Sequence, residues 1–89
     1  MKNIVTVTEV DGEGLVALTG KRVMLFCMNY IYTGTLTGVN QTCVLLEDAS
    51  IVYETGPFDK ATFGDAQKLP HQLYVQASAI ESFTETNKK

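Results

Sequence analysis

Residues 34–49 read GTLTGVNQTCVLLEDA, and this stretch decides the fold. Thr33, Thr35 and Thr37 alternate with Gly34, Leu36 and Gly38, the period of two that marks a half-buried strand. Glycine inside a strand is destabilising, so Gly34 and Gly38 predict sharp curvature or close approach of another backbone. Asn40-Gln41-Thr42 follow as a polar turn. Cys43 to Leu46 then return as an apolar strand, expected to be buried on both faces, before Glu47 and Asp48. A hairpin that curls this hard belongs to a small barrel rather than a flat sheet.

Working outward, Val23 to Met28 are apolar on both faces and predict a central strand. Asn29-Tyr30 turn it into the strand running to Val39, and the third strand runs from Cys43 to about Tyr53. Residues 1–10 alternate apolar residues with Thr and Glu and predict an arm or extra strand. Asp11 to Gly14 form a turn, Leu15 to Leu18 one helical turn with Asp11 or Glu13 at its positive end, and Gly20 its cap. Residues 54–70 lose the pattern among Gly56-Pro57, Gly64-Asp65 and Pro70, so they form a long excursion with a helical turn or hairpin of its own. Phe58 and Phe63 pin that excursion to the barrel or dock a partner. Residues 73–83, LYVQASAIESF, read as two short strands joined at Ala77-Ser78, and residues 84–89 as a frayed tail. The sum is one all-β domain over residues 1–89, with about five strands and a short N-terminal helix.

Totals narrow the function. A chain of 89 residues holds one core and buries roughly 60–65% of the surface its unfolded form exposes. No apolar run is long enough to span a membrane and the N-terminus shows no signal-peptide core, so the expected location is the cytoplasm. Cys27 and Cys43 lie on expected core strands as buried thiols; with His71 the sole histidine, no metal site is expected. No cofactor is expected either. Net charge is −3, and Lys2, Lys21, Arg22, Lys60, Lys68, Lys88 and Lys89 are scattered, which disfavours duplex DNA as a partner. Lys21-Arg22 read as phosphate contacts or, more simply, as a charge pair beside a helix end. His71 has no motif-linked nucleophile or carboxylate. Glu47 and Asp48, adjacent on a strand, are expected on opposite faces and not as a carboxylate pair. The chain therefore reads as a non-enzyme.

Residues 73–83 carry one charge, Glu81, and no proline. Isolated proteins guard sheet edges with Lys, Pro or bulges. An unguarded edge predicts pairing with another copy, and head-to-tail pairing that closes makes a ring.

These residues resemble a known family. Gly34, Leu36, Val39 and Asn40, then the polar turn and apolar run, match in register the first motif of the Sm-like proteins, and in spacing most resemble their bacterial Hfq branch. Residues 20–23, Gly-Lys-Arg-Val, resemble the family's passage from helix to first strand, although the turn at Asn29-Tyr30 is one residue shorter than in Hfq. Val75 to Phe83 resemble the second motif, centred on Ala79-Ile80. Residues 1–10 and 54–70 fall outside the likeness.

The resemblance implies a small, strongly bent five-stranded Sm-like (SH3-like) barrel. It implies closed homo-oligomeric rings in which the fourth strand pairs with a neighbour's fifth, and single-stranded RNA bound around the pore. Asn40 stands where the family usually has Asp and would orient the turn through backbone amides; Gln41 matches Hfq and would read a base edge. Thr42 replaces a stacking aromatic, Gln76 an Arg or Tyr, Ala77 a Gly or Lys, and Ser78 an Asn or His. The implied site keeps amides and hydroxyls but loses its positive charge and a base stack, the latter worth about 1–3 kcal/mol. Weak subunit sites would then act together on one strand. Tyr30 and Tyr32 would face the opposite side of the ring, as a second RNA surface or as cover for the barrel end or subunit interface. The competing reading is a ring used as a structural or protein-interaction scaffold without RNA.

Overall fold

The computed structural model describes residues 14–88, so the expected arm over residues 1–10 and the turn beginning at Asp11 lie outside the described residues. Six strands form one antiparallel sheet: β1 (Arg22–Cys27), β2 (Ile31–Val39), β3 (Cys43–Glu54), β4 (Asp65–Lys68), β5 (Leu73–Gln76) and β6 (Ile80–Glu85). The path runs β4-β3-β2-β1-β6, and β5 also pairs with β3. The expected β architecture is present, with two corrections. The sheet has six strands rather than five and does not close on itself. Among the described residues a single 3-10 turn, Val16–Leu18, stands where the short helix was expected. Gly14 and Gly20 both have positive φ, at 77° and 88°, and leave too few residues between them for an α-helix. Leu15 and Leu18 still pack on the core.

The extra strand comes from an interruption. Cys43–Leu46 of β3 pair with β5, and Ser50–Glu54 of the same strand pair with β4. Between β4 and β5 lie Leu69 and Pro70, where Leu69 N–H still donates to Ala49 O at 2.8 Å. Proline cannot donate to a ladder, so one strand alongside β3 is broken into two at Pro70. A second 3-10 turn, Ala77–Ala79, then redirects the chain so that β6 lies beside β1.

β1 is central, as its apolar faces predicted, and both faces are covered. Val23 and Leu25 join Leu36, Val44, Leu46, Ala49 and Val75 in the core. Met24, between them on the chain, points the other way and is 1% exposed. The C-terminal residues and the 55–64 loop gather around it, Phe58, Thr84 and Lys88 among them. Lys88, in a segment expected to fray, is 2% exposed. Its Nζ donates to Pro57 O at 2.7 Å and Lys60 O at 2.8 Å, and lies 5.5 Å from the centre of the Phe63 ring. The excursion is thus a β3–β4 hairpin whose loop is strapped down by the chain's own tail.

Candidate nucleic-acid interface

The β2–β3 hairpin positions the site. Its strands carry two bulges that cancel: β3 has an extra residue opposite Gly34, and β2 has one between Leu36 and Gly38. At the first, Asp48 adopts φ 52°, and a side chain on Gly34 would meet Glu47 O at 3.0 Å, Leu46 Cβ at 3.1 Å and Ala49 Cα at 3.2 Å. The close backbone approach inferred from Gly34 is real, whereas Gly38 meets only Leu45 Cβ at 3.7 Å. At this bulge the strand's alternation is interrupted, and Glu47 and Asp48 are both exposed. Neither is left loose. Glu47 accepts from Gln72 Nε2 at 2.8 Å, while Arg22 Nη1 donates to Asp48 O at 3.0 Å and Lys68 Nζ lies 2.7 Å from Asp48 Oδ1. Nor is β3 buried on both faces beyond the turn: Val44 and Leu46 are buried, while Cys43 and Leu45 are half-buried.

Asn40 builds the turn in the way its residue type predicted. Its Oδ1 accepts from Thr42 N–H at 2.8 Å, Thr42 Oγ1 at 3.0 Å and Cys43 N–H at 2.9 Å, and its own N–H donates to Cys43 O at 3.0 Å. This ties the side chain into the turn, so Asn40 shapes the site rather than presenting its oxygen to a ligand. Ala77 N–H donates to Thr42 O at 2.8 Å, which docks the second 3-10 turn against the hairpin loop. As a result Gln41, Thr42, Gln76 and Ser78, up to 37 positions apart in sequence, line one open groove of about 650 Å³ together with Cys43 and Tyr74. Among the described residues no charged side chain lines it.

Tyr74 is the residue that motif reading passed over. It is 66% exposed, since Val75 takes the core position on β5 and Tyr74 and Gln76 take the other face. The alternation Leu-Tyr-Val-Gln in residues 73–76 carried that signal.

Tyr30 and Tyr32 stack at 6.2 Å between ring centres, tilted by 52°. They line a second cavity of about 300 Å³ with Cys27, Met28 and Ala79, and Tyr74 and Gln76 border this cavity too. Within the chain the two groups of candidate residues therefore flank β5. Burial, and then the charge of Glu81, push the Cys27 thiol above its usual 9.0. Burial, followed by Cys27 and Tyr30, raises the Tyr32 hydroxyl above its usual 10.0. Both cysteines are free, as expected, but half-buried rather than buried. A raised pKa leaves Cys27 protonated and a poor nucleophile at neutral pH.

Among the described residues, no group of three or more His, Cys, Asp or Glu could hold a metal ion. No helix among them is long and apolar enough to cross a membrane. His71 is exposed between β4 and β5. No protein-family model matches the chain, and no curated protein matches its sequence.

Proposed function

We propose that this chain is a non-catalytic, ring-forming module of the Sm-like type that binds single-stranded RNA weakly or selectively. The observation that carries the reading is the groove: Gln41, Thr42, Gln76 and Ser78, which stand at positions of two distant motifs, come together around a turn organised by Asn40. Two further features support it. β4 and β5 together occupy the place of a single strand along β3, which reduces the sheet to the five strands of such a barrel. Among the described residues β5 pairs with β3 and β6 with β1, so each offers an edge for a neighbour. Joined head to tail, these unlike edges make a heterologous contact, the kind that closes into rings.

A scaffold without RNA is the second reading. It is favoured by the net charge of −3 and by the exposure of Phe58 at 68%, a side chain suited to a protein partner. Fluorescence polarisation with U-rich and A-rich oligonucleotides separates the two. Micromolar or tighter binding to the assembled protein, weakened by Gln41→Ala, is the outcome expected for the RNA module. A verified ring that binds no oligonucleotide would select the scaffold.

A further inference from the structure

We infer that Tyr74 is the base-stacking surface of this groove, and that the groove recognises an unpaired nucleobase without engaging phosphate. This rests on the RNA-binding reading and specifies its chemistry. Stacking needs an exposed aromatic face beside groups that can reach a base edge. Thr42 cannot supply that face, although it stands where the resemblance expects an aromatic. Tyr74 can: the residue is 66% exposed and borders the groove with the amides of Gln41 and Gln76 and the hydroxyls of Thr42 and Ser78. Amides both donate and accept, as the edge of a nucleobase requires. Two residues along β5 from Gln76, Tyr74 shares that residue's face of the strand.

The electrostatics of the described groove do not supply the usual source of strand affinity. Its described lining carries no charge, and four basic residues beyond it are held elsewhere. Lys21 lies 3.8 Å from Glu85, Arg22 and Lys68 lie against Asp48, and Lys88 is buried on backbone carbonyls. A site of this kind takes its affinity from stacking and neutral hydrogen bonds. Its binding is therefore nearly independent of salt, whereas three phosphate contacts would weaken a single strand about 20-fold between about 50 and 200 mM salt.

The ligand chemistry is a nucleobase, and its source is either an RNA strand or a free nucleoside. Titration calorimetry and fluorescence polarisation with adenosine, uridine, oligo-A and oligo-U distinguish the sources, at both salt concentrations. The expected result is binding that changes less than about two-fold with salt. Tyr74→Leu should weaken it roughly five- to hundred-fold, the range of a lost base stack, and Tyr74→Phe should leave it within about two-fold because the ring face remains. Sedimentation of each variant shows that assembly is intact. Nucleoside binding with these properties assigns the groove to the free base; binding of oligonucleotides alone assigns it to RNA. Oligonucleotide binding that survives Tyr74→Leu and falls steeply with salt overturns the Tyr74 assignment and leaves the RNA reading standing. No binding of any probe by the wild-type protein overturns both.

Discussion

At the scale of single residues, the hairpin depends on one side-chain oxygen and one missing side chain. Asn40 Oδ1 satisfies two backbone amides and a hydroxyl in a turn that would otherwise leave them to water. Asn40→Ala should destabilise the fold by about 1–2 kcal/mol, read as a lower urea midpoint, while Asn40→Asp, which keeps the acceptor, should restore most of it. Gly34→Ala puts a methyl 3.0 Å from the Glu47 carbonyl, a backbone atom that cannot swing away. The expected loss is about 1–3 kcal/mol. Cys27 and Tyr32 set an alkaline limit. Their folded pKa values are raised, so between usual and folded values the unfolded chain is the more ionised and binds fewer protons. The stability they contribute is therefore complete below about pH 9, where both are protonated in either state, and falls as pH rises through the folded values. Thermal melts between about pH 8 and 11 should show that decline, and Cys27→Ala should remove its earlier part. A melting temperature unchanged across that range would refute the linkage.

At the scale of elements, what was legible is what local periodicity carries. β1, β2 and β3 stand where alternation and apolar runs put them, and the turn at Asn40 follows from its residue type. What was not legible depends on contacts between distant residues. The bulge at Asp48 arises because β3 must pass Gly34 closely, and period-two reading of Glu47-Asp48 has no access to that. The helical turn over residues 15–18 was overread, since propensity could not outweigh two flanking positive-φ glycines. Tyr74 was missed because a motif fixes positions, whereas exposure is fixed by the face that Val75 leaves to it. Lys88 looked like one end of a polar tail, yet its ammonium is held by two carbonyls of the β3–β4 loop. Burying an ammonium is favourable only when its protons find acceptors, which those carbonyls provide. Lys88→Ala should accordingly destabilise the protein by about 1–3 kcal/mol. Amide hydrogen exchange should quicken in the β3–β4 loop and around Phe58 and Phe63, with β2 protection changed less. A uniform change across the sheet would show that the tail is not a local strap.

At the scale of the whole molecule, the open sheet poses the remaining question. Among the described residues β6 has five exposed positions in six and pairs with β1 alone, and β5 offers a second edge of four residues. An exposed edge invites pairing, and a small domain with limited burial gains most from it. If the edges meet between copies, stability becomes a function of concentration, because association draws the folded state forward by mass action. The melting temperature should then rise with protein concentration, and sedimentation should report a closed oligomer of one size. Phe83 tests this without dismantling the fold. It lies opposite Leu25 on β6 and is 40% exposed, so a lysine there can keep its stem on the sheet and its charge in water. Phe83→Lys guards the edge as monomeric proteins do, because pairing with a neighbour's uncharged β5 would strip water from the lysine's charge without offering it a partner. The expected product is a folded monomer with a concentration-independent melting temperature. Native-like circular dichroism combined with an unchanged oligomer would mean that β6 is not the contact. A wild-type protein that is already monomeric at working concentrations would remove the ring, and with it the avidity that weak grooves need to hold a strand.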